Sequence, residues 1–203
     1  MARLIIIVAL LFATGATFAQ GRHSIRSIDF ANFHYHGSIG LFPTAEYPTK
    51  SFTLRRGKSG DWQEGMTLRR VVYGDVTGDS VDEAIVTLSV NTAGSAAVDH
   101  VYIFTLRHNR PTFLWGFEGG DRAWGGLRRA YAENGKLVIE LFGRGTYIGG
   151  TLGRTEPVGL CCPQSITVAR YAWRDGQFRR DSDLEILPNP RAKTNCPTCL
   201  DGP

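Results

Sequence analysis

The sequence has little of what marks the common enzyme and nucleic-acid-binding classes. It contains no Gly-x-Ser-x-Gly nucleophile elbow and no glycine-rich phosphate loop. It also lacks a strong excess of one charge, since Lys and Arg number 23, Asp and Glu number 19, and the formal net charge is +4. Four Arg-Arg doublets occur, but neighbouring residues of a strand point to opposite faces, so doublets alone do not build a basic patch. We therefore expect no nucleic-acid partner.

Only one long stretch of the chain is continuously apolar. Leu4–Phe12 follows the single positive charge of Arg3 and is too short to span a bilayer. Thr17-Phe-Ala19 then has the small residues of a cleavage site, so residues 1–19 are predicted to be a signal peptide and Gln20 the mature N-terminus. No Cys follows the apolar run as a lipoprotein attachment site. We expect a secreted or periplasmic protein without a transmembrane segment.

The rest of the chain alternates between strand and turn patterns. Asn134-Gly135 and Asp175-Gly176 are typical of tight hairpin turns, and residues 108–111 predict another. His100 and His108 bracket one strand and are predicted to be turn residues. Glu83–Val90 is an almost unbroken apolar run, which indicates a central strand covered on both faces.

These patterns predict a mainly β fold, an antiparallel meander or sandwich-like single domain with an irregular C-terminal tail. Residues 20–187 form the predicted secreted β-rich domain. Within it, residues 28–56 are expected to add edge strands and residues 67–187 to form the main antiparallel unit. Residues 188–203, which are polar, rich in Pro and contain two Cys, form the predicted tail.

One acidic segment has the spacing of a metal-binding loop. Oxygen side chains stand at its first, third, fifth and ninth positions, an arrangement suited to hard cations such as calcium, and one backbone carbonyl can complete the set. The candidate ligands are Asp75, Thr77, Asp79, the carbonyl of Val81, and Glu83. Calcium is the cofactor that this segment suggests.

Two departures count against this metal site. Ser80 occupies a position where Gly would allow a sharp turn, and Thr77 replaces a carboxylate or amide. These departures favour a metal-free turn in which Asp75 and Asp79 accept backbone N–H bonds. If calcium binds, we expect an affinity no better than about 0.1–1 mM.

The segment Asp75-Val-Thr-Gly-Asp79 resembles the loop of FG-GAP and VCBS repeats, the integrin-like calcium loops of secreted proteins. Together with the later Cys-Cys-Pro163 and Arg170-Tyr-Ala-Trp-Arg-Asp-Gly-Gln-Phe178, it is similar to secreted bacterial proteins and lipoproteins of unknown function. The resemblance extends from about Ile28 to Pro190. It implies a secreted, mainly β domain and supplies no catalytic residue.

The four cysteines form two close pairs in the sequence. Cys161 and Cys162 are adjacent, and Cys196 and Cys199 lie in the predicted tail. In an exported chain this even number favours two disulfides, each joining one member of the first pair to one of the second, because adjacent cysteines rarely bond to each other. Zinc binding and a redox Cys-x-x-Cys site are the alternatives.

Together, these features predict an exported non-catalytic β-domain that acts as a binding or envelope-associated module. Its ligand or partner outside the cytoplasm is not specified by the residues. The alternative is an extracytoplasmic thiol-disulfide protein, or a hydrolase whose site has no recognisable motif. Without such a motif, an enzyme is the less favoured reading.

Overall fold

The computed structural model describes residues 24–35, 51–60, 65–91, 97–121, 126–148, 151–154 and 163–192. In these ranges the chain is mainly β and its strands pair antiparallel, as predicted. Two short 3₁₀ turns, Ile25–Ser27 and Phe30–Asn32, come first. The strands are β1 (His34–Tyr35), β2 (Phe52–Thr53), β3 (Lys58–Ser59), β4 (Gly65–Gly74), β5 (Glu83–Asn91), β6 (Ala97–Arg107), β7 (Arg110–Asp121), β8 (Leu127–Glu133), β9 (Lys136–Phe142), β10 (Gly145–Ile148), β11 (Thr151–Arg154), β12 (Ser165–Arg174), β13 (Gln177–Arg180) and β14 (Glu185–Pro188).

Most of the described strands belong to two larger sheets. The first sheet has the strand order β3-β4-β5-β6-β7, which is a meander. The second has the order β13-β12-β9-β8, and β14 also pairs with β12. The three predicted hairpins are confirmed, with turns at His108–Asn109, Asn134–Gly135 and Asp175–Gly176. All six turn residues have positive φ, as type I′ turns require.

The two larger sheets pack face to face around a shared apolar core. Residues 137, 139 and 141 of β9 point into this core, in keeping with the two-residue period of a strand. The first sheet and the loop after β4 contribute Val76, Ile85, Val101, Ile103 and Phe117; the second contributes Ala130, Leu137, Ile139, Leu141, Ala169, Tyr171 and Phe178. The described residues therefore form a β-sandwich.

The opposite face of the first sheet is covered by the N-terminal segment. The buried side chains there are Ile25, Phe30, Tyr35 and Leu54, which pack against Ala84, Val86, Leu88, Tyr102 and Phe104. Strand β5 is therefore buried on both faces, as its apolar run predicts. The segment differs from the edge strands expected for residues 28–56, because β1 and β2 pair with each other and lie over a face. Asp29 accounts for part of this difference, since its carboxylate accepts the N–H groups of Ala31 and Asn32 and caps a 3₁₀ turn.

The two sheets approach each other closely at the end of β4. A Cβ atom added to Gly74 would lie 2.6 Å from the Cβ of Ala132 in β8, so only Gly fits there. This contact brings the loop that follows β4 against the β8–β9 hairpin. Among the described residues, no helix is long and apolar enough to cross a membrane.

Candidate functional site

The predicted metal ligands lie in the connection between two paired strands. Strand β4 ends at Gly74, β5 begins at Glu83, and these two residues are register partners. We call residues 75–82 the Asp75 loop. The side chain of Val76 is fully buried in the inter-sheet core. The loop is therefore anchored at its second residue. Its remaining residues lie at one end of the sandwich, where β4 ends and β5 begins.

Asp75 organises the backbone of the loop. Its Oδ1 accepts the N–H groups of Thr77 at 3.1 Å and Gly78 at 2.6 Å, and its Oδ2 accepts that of Ser80 at 2.9 Å. Gly78 and Ser80 have φ values of 81° and 66°. The left-handed conformation expected of Gly is thus present at Ser80, so the substitution at this position does not prevent the turn.

Asp79 lies within the same loop, and Glu83 directly follows it. Oδ1 of Asp79 accepts the N–H of Val81 at 2.9 Å, and the side chain of Val81 is exposed. Glu83 is fully buried; its Oε2 accepts the N–H of Val76 and its Oε1 accepts the hydroxyl of Thr105, both at 3.1 Å. Thr105 lies on β6, and nothing in the sequence connects it with the loop.

The three carboxylates converge. One oxygen from each of Asp75, Asp79 and Glu83 lies within 4.8 Å of the others. Burial raises the pKa of Glu83, and the nearby negative charges of Asp79 and Asp75 raise it further. The hydrogen bonds from Val76 and Thr105 lower it, but the net shift is upward. The loop therefore brings three carboxylates into one small region.

The Thr77 hydroxyl supplies a further observation. Its Oγ1 atom is buried and has no hydrogen-bond partner within the structure described. An orphaned buried hydroxyl costs free energy, and at the third loop position a cation would satisfy it. The hydrogen bonds of the carboxylates do not exclude this, because each carboxylate has about four lone-pair sites. Three of the five predicted ligands, the carboxylates, are close enough together to hold a metal ion, and the Asx-type hydrogen bonds predicted for a metal-free turn are present as well.

Two further contacts of the loop could not be predicted from the sequence. Asp82 forms an ion pair with Arg26 of the N-terminal segment, with 2.7 Å between Oδ2 and Nε. On the other side, Gly135 of the β8–β9 turn lies against Gly78 and Asp75. Both contacts join parts of the chain that are far apart in sequence, and no local motif signals either.

The remaining sequence predictions fall on other segments. Cys161, Cys162, Cys196 and Cys199 lie outside the described residues, and so does the predicted signal peptide. The disulfide pairing therefore stays a prediction. No family model matches the chain, and neither a curated protein nor a solved structure matches it.

Proposed function

We propose that this protein is an exported, non-catalytic β-sandwich domain, a binding or envelope-associated module whose Asp75 loop binds calcium weakly. The observation that carries the calcium proposal is the convergence of three carboxylates within 4.8 Å, in a loop that also contains a buried hydroxyl without a hydrogen-bond partner among the described residues. Calcium takes six to eight oxygen ligands and accepts irregular geometry. The resemblance to FG-GAP and VCBS loops supports the same reading.

Weak affinity follows from the ligand set. Three side chains supply the negative charge, Thr77 offers a neutral hydroxyl, and the carbonyl of Val81 and solvent would complete the coordination. Asp75 and Asp79 also hold the backbone of the loop in place through their hydrogen bonds. We expect a dissociation constant of about 1 mM, in the range of extracellular modules.

Replacing Asp79 with Asn provides the sharpest test of calcium binding. The amide oxygen can still accept the N–H of Val81, so the turn is retained while one ligand charge is lost. Calcium at ten times its dissociation constant should stabilise the wild type by about 1.4 kcal/mol, which corresponds to about 3–5 °C in melting temperature. Asp79→Asn should lose most of this shift, as measured by thermal unfolding with calcium or with a chelator.

Asp82→Asn is the matched control, since it removes the same charge from the same loop. Asp82 pairs with Arg26 at a partly exposed position, and such pairs contribute about 0–1 kcal/mol. Its calcium shift should equal that of the wild type. A shift that survives Asp79→Asn would place the ion elsewhere, and no shift in the wild type would leave the metal-free turn as the correct description.

Export is supported by the apolar run Leu4–Phe12 and the small residues before Gln20. The expected result is a mature protein that begins at Gln20 when the full-length chain is expressed in a bacterial host and recovered from outside the cytoplasm. Mass spectrometry of the N-terminal peptide measures this directly. Recovery of the mature pool with residues 1–19 still attached would contradict it.

A further inference from the structure

The Asp75 loop lies directly against the tight turn of the β8–β9 hairpin. A Cβ atom built on Gly135 would lie 3.2 Å from the Cα of Gly78, and 3.8 Å from both the N of Gly78 and Oδ2 of Asp75. In the other direction, a Cβ on Gly78 would lie 3.6 Å from the carbonyl oxygen of Gly135. The two backbones therefore touch, and one candidate ligand lies at their contact.

The hairpin and the loop belong to different sheets. Strands β8 and β9 are part of the second sheet, whereas the loop joins β4 and β5 of the first. The close approach of Gly74 to Ala132 lies beside this contact. Because the two backbones are in contact, we expect a change in the position of the loop to be transmitted to the hairpin and through it to the second sheet.

A cation would change the loop in a defined way. Asp75, Asp79 and Glu83 repel one another without an ion, and the hydroxyl of Thr77 is buried without a partner. An ion bound among them replaces repulsion with attraction and fixes the position of the Asp75 carboxylate. That carboxylate also accepts the N–H of Gly78, the loop residue whose backbone lies against Gly135.

We propose that the Asn134–Gly135 turn is a docking element for the Asp75 loop, so that cation binding and the seating of the second sheet on the first are coupled. This inference rests on the proposed calcium site. Coupling of this kind is reciprocal: calcium stabilises the docked hairpin, and a hairpin that docks poorly weakens calcium binding by the same factor. Gly135 is then a positioning residue, which acts on the ion through Asp75 and Gly78 without contacting it.

The chain provides a closely matched pair of variants. Gly135 and Gly176 occupy the same position of two type I′ turns, with φ of 71° and 76°. A Cβ on Gly176 meets nothing within 4 Å, whereas a Cβ on Gly135 meets the loop. Gly135→Ala and Gly176→Ala thus carry the same backbone strain, and only the first disturbs the contact.

The experiment measures calcium affinity from the dependence of the melting temperature on calcium concentration. Gly135→Ala should weaken the affinity by about five-fold or more, whereas Gly176→Ala should leave it unchanged. Hydrogen exchange of the wild type gives a second measurement that does not require any variant to fold. Calcium should slow amide exchange in the Glu133–Lys136 turn and leave the Arg174–Gln177 turn unaffected.

The possible results separate this inference from the proposed function. If calcium binds the wild type but both Ala variants retain the same affinity and the two turns exchange alike, the docking inference is wrong and the calcium site stands. If Gly135→Ala does not fold, the hydrogen-exchange measurement on the wild type decides whether calcium binding and the docking of the turn are coupled. If calcium fails to bind the wild type, both the site and the coupling are overturned.

Discussion

Replacing Glu140 with Ala should lower the free energy of unfolding by about 3 kcal/mol. Glu140 is buried on β9, on the face of the second sheet that points away from the sandwich core. Its carboxylate accepts hydrogen bonds from Arg128, from Arg129 at 2.6 Å and from the hydroxyl of Tyr131 at 3.0 Å. Removing it leaves the partly buried guanidinium of Arg128 and the hydroxyl of Tyr131 without this partner. The free-energy cost of leaving such groups unpaired exceeds the net stabilisation that the ion pair itself provides.

The protonation of Glu140 gives this prediction a pH dependence. Burial raises the pKa of the carboxyl, but hydrogen bonds from Arg129, Tyr131 and Arg128 lower it, and the net shift is downward from 4.5. A carboxyl whose folded pKa is lowered contributes stability above its unfolded pKa and loses that contribution as the pH falls through the folded value. The difference between wild type and Glu140→Ala should therefore shrink below about pH 4.5.

Chemical denaturation at neutral pH measures the effect, and Glu133→Ala is its control. Glu133 is exposed to solvent and pairs at 3.5 Å with Arg170, which is partly exposed. Its removal should change stability by less than about 1 kcal/mol. Glu140→Gln retains one acceptor oxygen, so its free energy of unfolding should lie between those of the wild type and Glu140→Ala. Equal effects of the two Ala variants would show that the buried cluster contributes no more than a surface pair.

The arrangement around Glu140 also shows where sequence reasoning fails. Neighbouring residues of a regular strand point to opposite faces, so an Arg-Arg doublet predicts one Arg on each face or the end of a strand. The Arg128-Arg129 doublet stands at the start of β8, where the register shifts between Leu127 and Arg129, and both side chains reach Glu140. A bulge depends on the pairing of two strands, and the sequence of one strand does not encode it.

Features of local origin were predictable. The three hairpins depend on turn residues that tolerate positive φ, and the burial of β5 on both faces follows from its unbroken apolar run. The ligand candidates of the Asp75 loop followed from spacing alone. By contrast, the contacts of the loop with Thr105, Gly135 and Arg26 arise from tertiary packing, and they could be found only in the folded chain.

His100 is a second case in which tertiary structure overrides the local pattern. The sequence predicts a turn residue, and this is wrong: β6 begins at Ala97, so His100 lies within the strand and is only 7% exposed. It lies between Leu88 of β5 and Glu118 of β7. Its Nδ1 has no hydrogen-bond partner among the described residues. Burial lowers the pKa of the imidazole to about 4 from its usual 6.5.

This lowered pKa predicts a loss of stability in acid. Between pH 6.5 and about 4 the unfolded chain holds a proton on His100 that the folded protein does not, so the free energy of unfolding falls as the pH falls. By pH 4 this difference in proton binding at His100 lowers the free energy of unfolding by about 3 kcal/mol. Its physical origin is that an imidazolium at this position would lose its hydration without gaining a partner.

The measurement is the free energy of unfolding of wild type and His100→Phe at several pH values from 7 to 4. The difference between them should change by about 3 kcal/mol in favour of the variant on acidification. Burial also raises the pKa of Glu118, the acidic residue that faces His100 on β7. A raised pKa of Glu118 makes the folded protein more stable as the pH falls, which opposes the effect of His100. Both proteins retain Glu118, so its effect largely cancels in the difference between them. His108→Asn removes a histidine from an exposed turn and serves as the control for the loss of a histidine. A difference between wild type and His100→Phe that stays constant with pH would mean that His100 is charged in the folded protein, with a partner that compensates for its burial.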